Sequence, residues 1–182
     1  MKSSKLVIAL LSLSLIALEI IWTRIFSAEF FYTFAFLILS LAILGLGMGA
    51  LSVRLFNFLN HPYSLVVNLM LTGLMTIVSP ILVFQLGLDF TQLFVEGIMV
   101  IKIIAAILLL SSAFYFGGIS LALLLKNNHK EISALYMSDL IGAGMGVLIS
   151  LLLMNWFGTP ATTFLSAIPV LIAAFLISKK AA

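Results

Sequence analysis

The chain has 182 residues, 64% of them hydrophobic and 8% charged, with a mean hydropathy of +1.33. A soluble domain is about half apolar and about one quarter charged, so the surplus excludes a soluble core and makes a bilayer the solvent. The net charge of +3 is scattered, which gives a nucleic-acid partner no support, and the lack of cysteine removes disulfides, thiolate nucleophiles and cysteine metal sites.

Six apolar segments are long enough to span about 30 Å at about 1.5 Å per residue. The first, 6–26, follows Lys2 and Lys5 in "MKSSKLVIALLSLSLIALEI" and begins like a signal peptide. No small-x-small cleavage site follows convincingly, so it reads as a retained membrane helix. Glu19 lies about 20 Å along it and Arg24 near its far end. The second, 30–54, ends in "GLGMGALSVR", where Gly45 and Gly49 share a helix face. The third, 64–87, follows the polar connection "NFLNHPY".

The fourth, 94–126, is about 50 Å long as one helix. Within its "FYFGGIS", Gly117 and Gly118 are hinge candidates that kink or break it. The alternative is a straight, tilted helix with one end outside the lipid. Lys102 enters it by about 10 Å. The fifth, 132–156, contains "YMSDLIGAGMGVLIS", with Ser138, Gly142, Gly146 and Ser150 spaced by four and Asp139 about 10 Å in. The sixth, 160–178, follows "NWFGTP". No connection is large enough for a soluble domain, so residues 1–182 read as one all-α integral membrane domain.

With six spans, Lys2, Lys5, Arg54, Lys126, Lys130, Lys179 and Lys180 fall on one side. Arg24 and Lys102 fall toward the other, with Glu29, Asp89 and Glu96. Positive charge marks the cytoplasmic side, which predicts both termini inside. Residues 45–51, "GLGMGAL", and 142–148, "GAGMGVL", match at five of seven positions. Either the chain holds a 3+3 inverted repeat, as transporters do, or glycine-rich faces recur through composition.

The small-xxx-small faces predict close helix packing in lipid, where no hydrophobic effect drives association. A phosphate-cradling loop does not fit, because the glycines lie within a helix and follow no strand. Intramembrane charges are functional candidates. Matching depth makes Lys102 a candidate partner for Glu19 if the first and fourth helices touch, and Arg24, near the outer end of the same helix, is another. Asp139 has Arg54, Lys126 and backbone or hydroxyl donors such as Tyr136 as candidates. The competing reading is that these charges fix helix register only. His61 and His129 lie in connections with no ligand partner at helical spacing, and no serine has a plausible His–carboxylate pair. Neither a catalytic, a metal nor a cofactor site is expected. Trp22, Trp156, Tyr32 and Tyr63 lie near segment ends, as interfacial aromatics do.

"ALEIIWTRIFS", "LAILGLGMGALSVRLF", "FYFGGISLALLL" and "ISALYMSDLIGAGMGVLISLLLMNWFG" together resemble the N-terminal membrane domain of bacterial spermidine synthase-like proteins. The family pattern is matched by Glu19, Trp22 and Arg24; by Gly45, Gly47 and Gly49; and by Leu135, Tyr136, Asp139, Leu140, Gly142 and Ala143. In that family a soluble aminopropyltransferase-like domain follows the membrane helices. Here the chain stops at "LISKKAA", without a strand–glycine-loop–helix for that chemistry, so the catalytic part is expected to be missing. The resemblance implies a multi-pass protein of the bacterial inner membrane. The leading expectation is a non-catalytic accessory or scaffold subunit. Its partners are the lipid bilayer and other membrane subunits or further copies of itself. The alternative is a small-molecule carrier for a polyamine or other organic cation, with Glu19 and Asp139 as cation sites.

Overall fold

The computed structural model of the protein describes residues 2–29, 34–61, 63–88 and 97–181. It contains six long helices: α1 (Lys2–Glu29), α2 (Phe34–Leu55), α3 (Ser64–Gln85), α4 (Gly97–Asn127), α5 (Ile132–Phe157) and α6 (Thr159–Ala181). Each has a stretch long and apolar enough to cross a membrane, and no strand occurs among the described residues. The six apolar segments therefore become six helices, with ends displaced by a few residues. Hydrocarbon offers no partner for backbone N–H and C=O groups, and a helix satisfies them within itself. Short 3-10 turns at Asn57–Asn60 and His129–Glu131 connect α2 to α3 and α4 to α5. Gly158, at φ 77°, turns α5 into α6 across one residue.

α1 is the hub. It packs against α5 and α6 extensively, and against α2 and α4 to a lesser extent. The helices α1, α6, α3, α4 and α2 form a closed ring of neighbours, and α5 lies outside it against α1 and α6. Burial follows this order: 56% of the apolar stretch of α1 is buried within the bundle, against 22% for α5. The core is built on the fully buried Ile8, Leu11, Leu18, Ile21 and Trp22 of α1. Trp22 meets Phe114 of α4 edge-to-face at 5.8 Å, and Phe26 stacks on Phe84 of α3 at 5.7 Å. Trp22 is therefore a core residue and not an interfacial one. Trp156 and Tyr63 are exposed, and Tyr32 lies outside the described residues.

Two glycine seams hold the largest interfaces. On α5, a Cβ added to Gly142 or Gly146 would lie under 3.0 Å from the carbonyl oxygen of Ala9 or Leu13 on α1. On α2, a Cβ added to Gly45 or Gly49 would lie under 3.0 Å from the carbonyl oxygen of Ser111 or Tyr115 on α4. In both seams, glycines four apart face carbonyls four apart. Gly47 and Gly144, between them, meet nothing within 4 Å. Backbone-to-backbone approach of this kind maximises dispersion contact in lipid.

Each of four interfaces also carries one interhelical hydrogen bond. Ser12 donates to Asp139 between α1 and α5, and Ser14 donates to the carbonyl oxygen of Ser166 between α1 and α6. Ser52 bonds Tyr115 at 2.9 Å between α2 and α4, and Ser79 bonds Ser112 at 3.3 Å between α3 and α4. So α5 and α6 dock on α1 much as α2 and α3 dock on α4.

The start of α1 and two connections gather at one end of the bundle. There Lys5 pairs with Glu131 at 2.9 Å, Ser4 donates to Asn128 at 3.4 Å, and Lys126 donates to Asn60 at 2.7 Å. At the opposite end Glu29, Pro80 and Pro160 border one cavity, so α6 starts there and runs back. Lys5, Arg54, Lys126, Lys130 and Lys179 thus belong to one end, the basic end. Arg24 and Lys102 lie toward the other. Asp89 and Glu96 lie outside the described residues.

Candidate functional site

The contact between α1 and α5 brings together Asp139 and the glycine face of α5 that the sequence singles out. From the basic end inward it runs through Lys5–Glu131, then Ser12–Asp139, with Gly142 on Ala9 and Gly146 on Leu13. Ser150 continues the glycine face and is buried, its hydroxyl bonded to the carbonyl of Val147 at 2.9 Å. Ser138, half-buried, bonds the carbonyl of Ala134 at 2.8 Å. The spacing by four places Ser138, Gly142, Gly146 and Ser150 on one stripe of α5 because four residues nearly complete a helical turn.

Asp139 takes a hydroxyl donor, one of the kinds of partner expected, from a residue that the sequence does not single out. Its hydrogen-bond donor is the hydroxyl of Ser12, not Arg54, Lys126 or Tyr136. Arg54 and Lys126 are exposed at the bundle end, and Tyr136 is exposed on the outer side of α5. The reason is positional: α5 lies against α1, and α2 and α4 pair with each other on the far side.

Glu19 and Lys102 do not pair. Among the described residues the one ion pair is Lys5–Glu131, and the side chains of Glu19, Arg24 and Lys102 have neither a salt bridge nor a hydrogen bond. α1 and α4 do touch, through Leu15 on Gly117 and Trp22 on Phe114. Glu19 is half-buried, as is Lys102, and Arg24 is exposed. At about 100° per residue, Lys5, Ser12 and Glu19 recur every seven positions on one face of α1. That face therefore carries three polar groups: Lys5 is partnered by Glu131 in the turn before α5, Ser12 by Asp139 of α5, and Glu19 by neither a salt bridge nor a hydrogen bond.

Of the two readings of the hinge candidates Gly117 and Gly118, a break is not seen, since α4 runs unbroken through both. Each glycine accommodates a neighbour. A Cβ on Gly118 would strike the backbone of Leu46 on α2, and one on Gly117 would meet the side chain of Leu15 on α1. His61 stacks on Tyr63 at 5.6 Å and His129 is exposed, and no cluster of metal-ligating residues occurs among the described residues.

Three features escape reading from the sequence. Ser12 acquires its role only through the α1–α5 contact. The indole N–H of Trp22 is buried without a hydrogen-bond partner. A polar stripe on α3, comprising Asn68, Thr72, Thr76 and Ser79, is buried. The first three of its side chains bond the carbonyls of Ser64, Asn68 and Thr72 at 2.7 to 2.8 Å. Spacing of small hydroxyl residues by four, as in α3, is the one signal that points to such a stripe.

No family model matches the chain, and neither the curated proteins nor the solved structures hold a significant match.

Proposed function

We propose that the chain is a non-catalytic accessory or scaffold subunit of a larger membrane complex, set in the bacterial inner membrane with both termini in the cytoplasm. In this reading it is similar to the membrane domain of spermidine synthase-like proteins. The observation that carries it is the state of α5. One face is held to α1 by Gly142, Gly146 and the Ser12–Asp139 bond, and most of its apolar stretch is left outside the bundle. Tyr136, Met137, Met145 and Leu148 are exposed beside the open Gly144. A helix fixed on one side and bare on the other suits attachment to a further membrane helix. The excess of Lys and Arg at one end supports the orientation.

The test is a photo-crosslinking side chain at Met145 or Leu148, read in intact membranes, with Leu74 of α3 as the control position. A discrete crosslinked species specific to α5, at constant stoichiometry after gentle extraction, supports the reading. Crosslinks to lipid alone at all three positions reject it.

The second reading is a carrier for a polyamine or other organic cation. Glu19 favours it, as a carboxylate within a membrane helix that lacks a partner. So does the parallel between α5 on α1 and α2 on α4, which fits a 3+3 inverted repeat. Under this reading Glu19→Gln abolishes cation uptake without altering expression. Unchanged uptake rejects it.

A further inference from the structure

At the basic end, between the α2–α3 turn and the facing sides of α3 and α4, the surface opens into a groove of about 660 Å³. Its size falls within the roughly 300–1,000 Å³ of small-molecule sites. The groove has two zones. At the mouth are Phe56, Phe58, His61 and Tyr63, all exposed. Deeper, Val67 and Leu71 on α3 face Phe116 and Ile119 on α4. From Ser64 to Leu71 the helix descends about 10 Å, so the groove passes from headgroup depth into hydrocarbon. Aromatic residues at the mouth and aliphatic ones below repeat the polarity gradient of the bilayer itself.

The charge around the mouth has one sign. Arg54 stands two residues before Phe56 and is exposed without an ion pair. Lys126 bonds Asn60, which sits between the groove-lining Leu59 and His61. No carboxylate lines the groove among the described residues, and Glu131, at the same end, is held by Lys5. An arginine without an ion pair and a lysine bonded to a neutral amide therefore stand beside the lining of an apolar slot with a histidine at its mouth. Basic pockets between membrane helices bind anionic headgroups.

We propose that this groove is a binding site for an anionic phospholipid, with one acyl chain between α3 and α4 and the phosphate held at the mouth by Arg54, His61 and Lys126. The aromatic side chains hold the glycerol-level part of the chain, and the cations select the headgroup. The site ties the α2–α3 turn to the α3–α4 face, so bound lipid also braces that turn.

The full chain is purified in a mild detergent and incubated with phosphatidylglycerol or phosphatidylcholine, and lipid retained per protein is read by native mass spectrometry. Each cation near an anionic headgroup contributes about a factor of five, so the expected preference for phosphatidylglycerol is roughly tenfold or more. R54Q/K126Q loses the preference and keeps the fold. K130Q/K179Q removes equal charge from the same end away from the groove and keeps the preference. V67W fills the groove and abolishes retention of both lipids. Equal retention of the two lipids by the wild-type chain overturns the proposal, as does an equal loss of preference in the two double variants. If R54Q/K126Q fails to fold, the comparison of V67W with wild type decides, and undiminished phosphatidylglycerol retention in V67W overturns the site.

Discussion

The hydroxyl of Ser12, on the first helix, is hydrogen-bonded to the carboxyl of Asp139, the single acidic residue of α5. Two helices far apart in sequence are thereby joined by one polar contact within an apolar interface. Interhelical hydrogen bonds in membranes contribute about 0.6 kcal/mol on average and up to about 1.7. Ser12→Ala is expected to cost within that range. Asp139→Asn retains an acceptor oxygen for Ser12 and is expected to cost less. Reversible unfolding in mixed micelles, followed by helicity, measures both. A larger loss for Asp139→Asn than for Ser12→Ala would mean that Asp139 acts beyond this bond.

The seam on α5 makes a sharper prediction because it contains its own control. Gly142→Leu and Gly146→Leu place side chains where the backbone of α1 already lies. Overpacking typically costs about 1–3 kcal/mol, and here rigid main chain, not a side chain, must move. Gly144→Leu points into open space and is expected to leave stability nearly unchanged. Gel filtration and thermal unfolding in detergent compare the three. The packing account fails if the two seam variants assemble as well as Gly144→Leu.

The two glycines of α4 are separable in the same way. Gly118→Ala meets the backbone of Leu46, which cannot yield, and is expected to be strongly destabilising. Gly117→Ala meets only the end of the Leu15 side chain, which can change rotamer. A hinge would respond similarly to either substitution, because both restrict the same backbone. Equal effects on melting temperature would thus restore the hinge that the unbroken helix argues against.

Trp22 carries an unpaired N–H in the core, a group whose desolvation costs about 1–3 kcal/mol. Trp22→Phe removes that N–H and much less volume than truncation does. It is expected to stay within about 1 kcal/mol of wild type, whereas Trp22→Ala costs about 3–5 kcal/mol. If Trp22→Phe is as damaging as Trp22→Ala, the indole N–H has an essential partner.

The reach of the sequence was set by the physics of each feature. Six helices follow from apolar run length, because hydrocarbon permits few other solutions. The glycine faces at Gly45–Gly49 and Gly142–Gly146 are legible because spacing by four is local. Pairing between helices is not local, and Asp139 shows this: depth alone suggested Arg54 and Lys126, while the neighbour proved to be α1. Trp22 misled for a related reason. Near a segment end it resembled an interfacial anchor, but the central place of α1 buries the helix almost to its far end. The α3 stripe is hard to read from the sequence because isolated threonines in an apolar run need no partner on another helix: Thr72 and Thr76 satisfy their hydroxyls on their own.

The position of α1 at the hub has a consequence for biosynthesis. Its two docking helices, α5 and α6, are made after the other four, and 127 residues separate Ser12 from Asp139. At about 5–20 residues per second, α1 waits roughly 6–25 s before its partner helix leaves the ribosome. During that interval Ser12, Ser14 and Glu19 face lipid or the insertion machinery. The most buried helix of the finished bundle is thus the one longest exposed, and a holding factor at the site of insertion would act on α1 first.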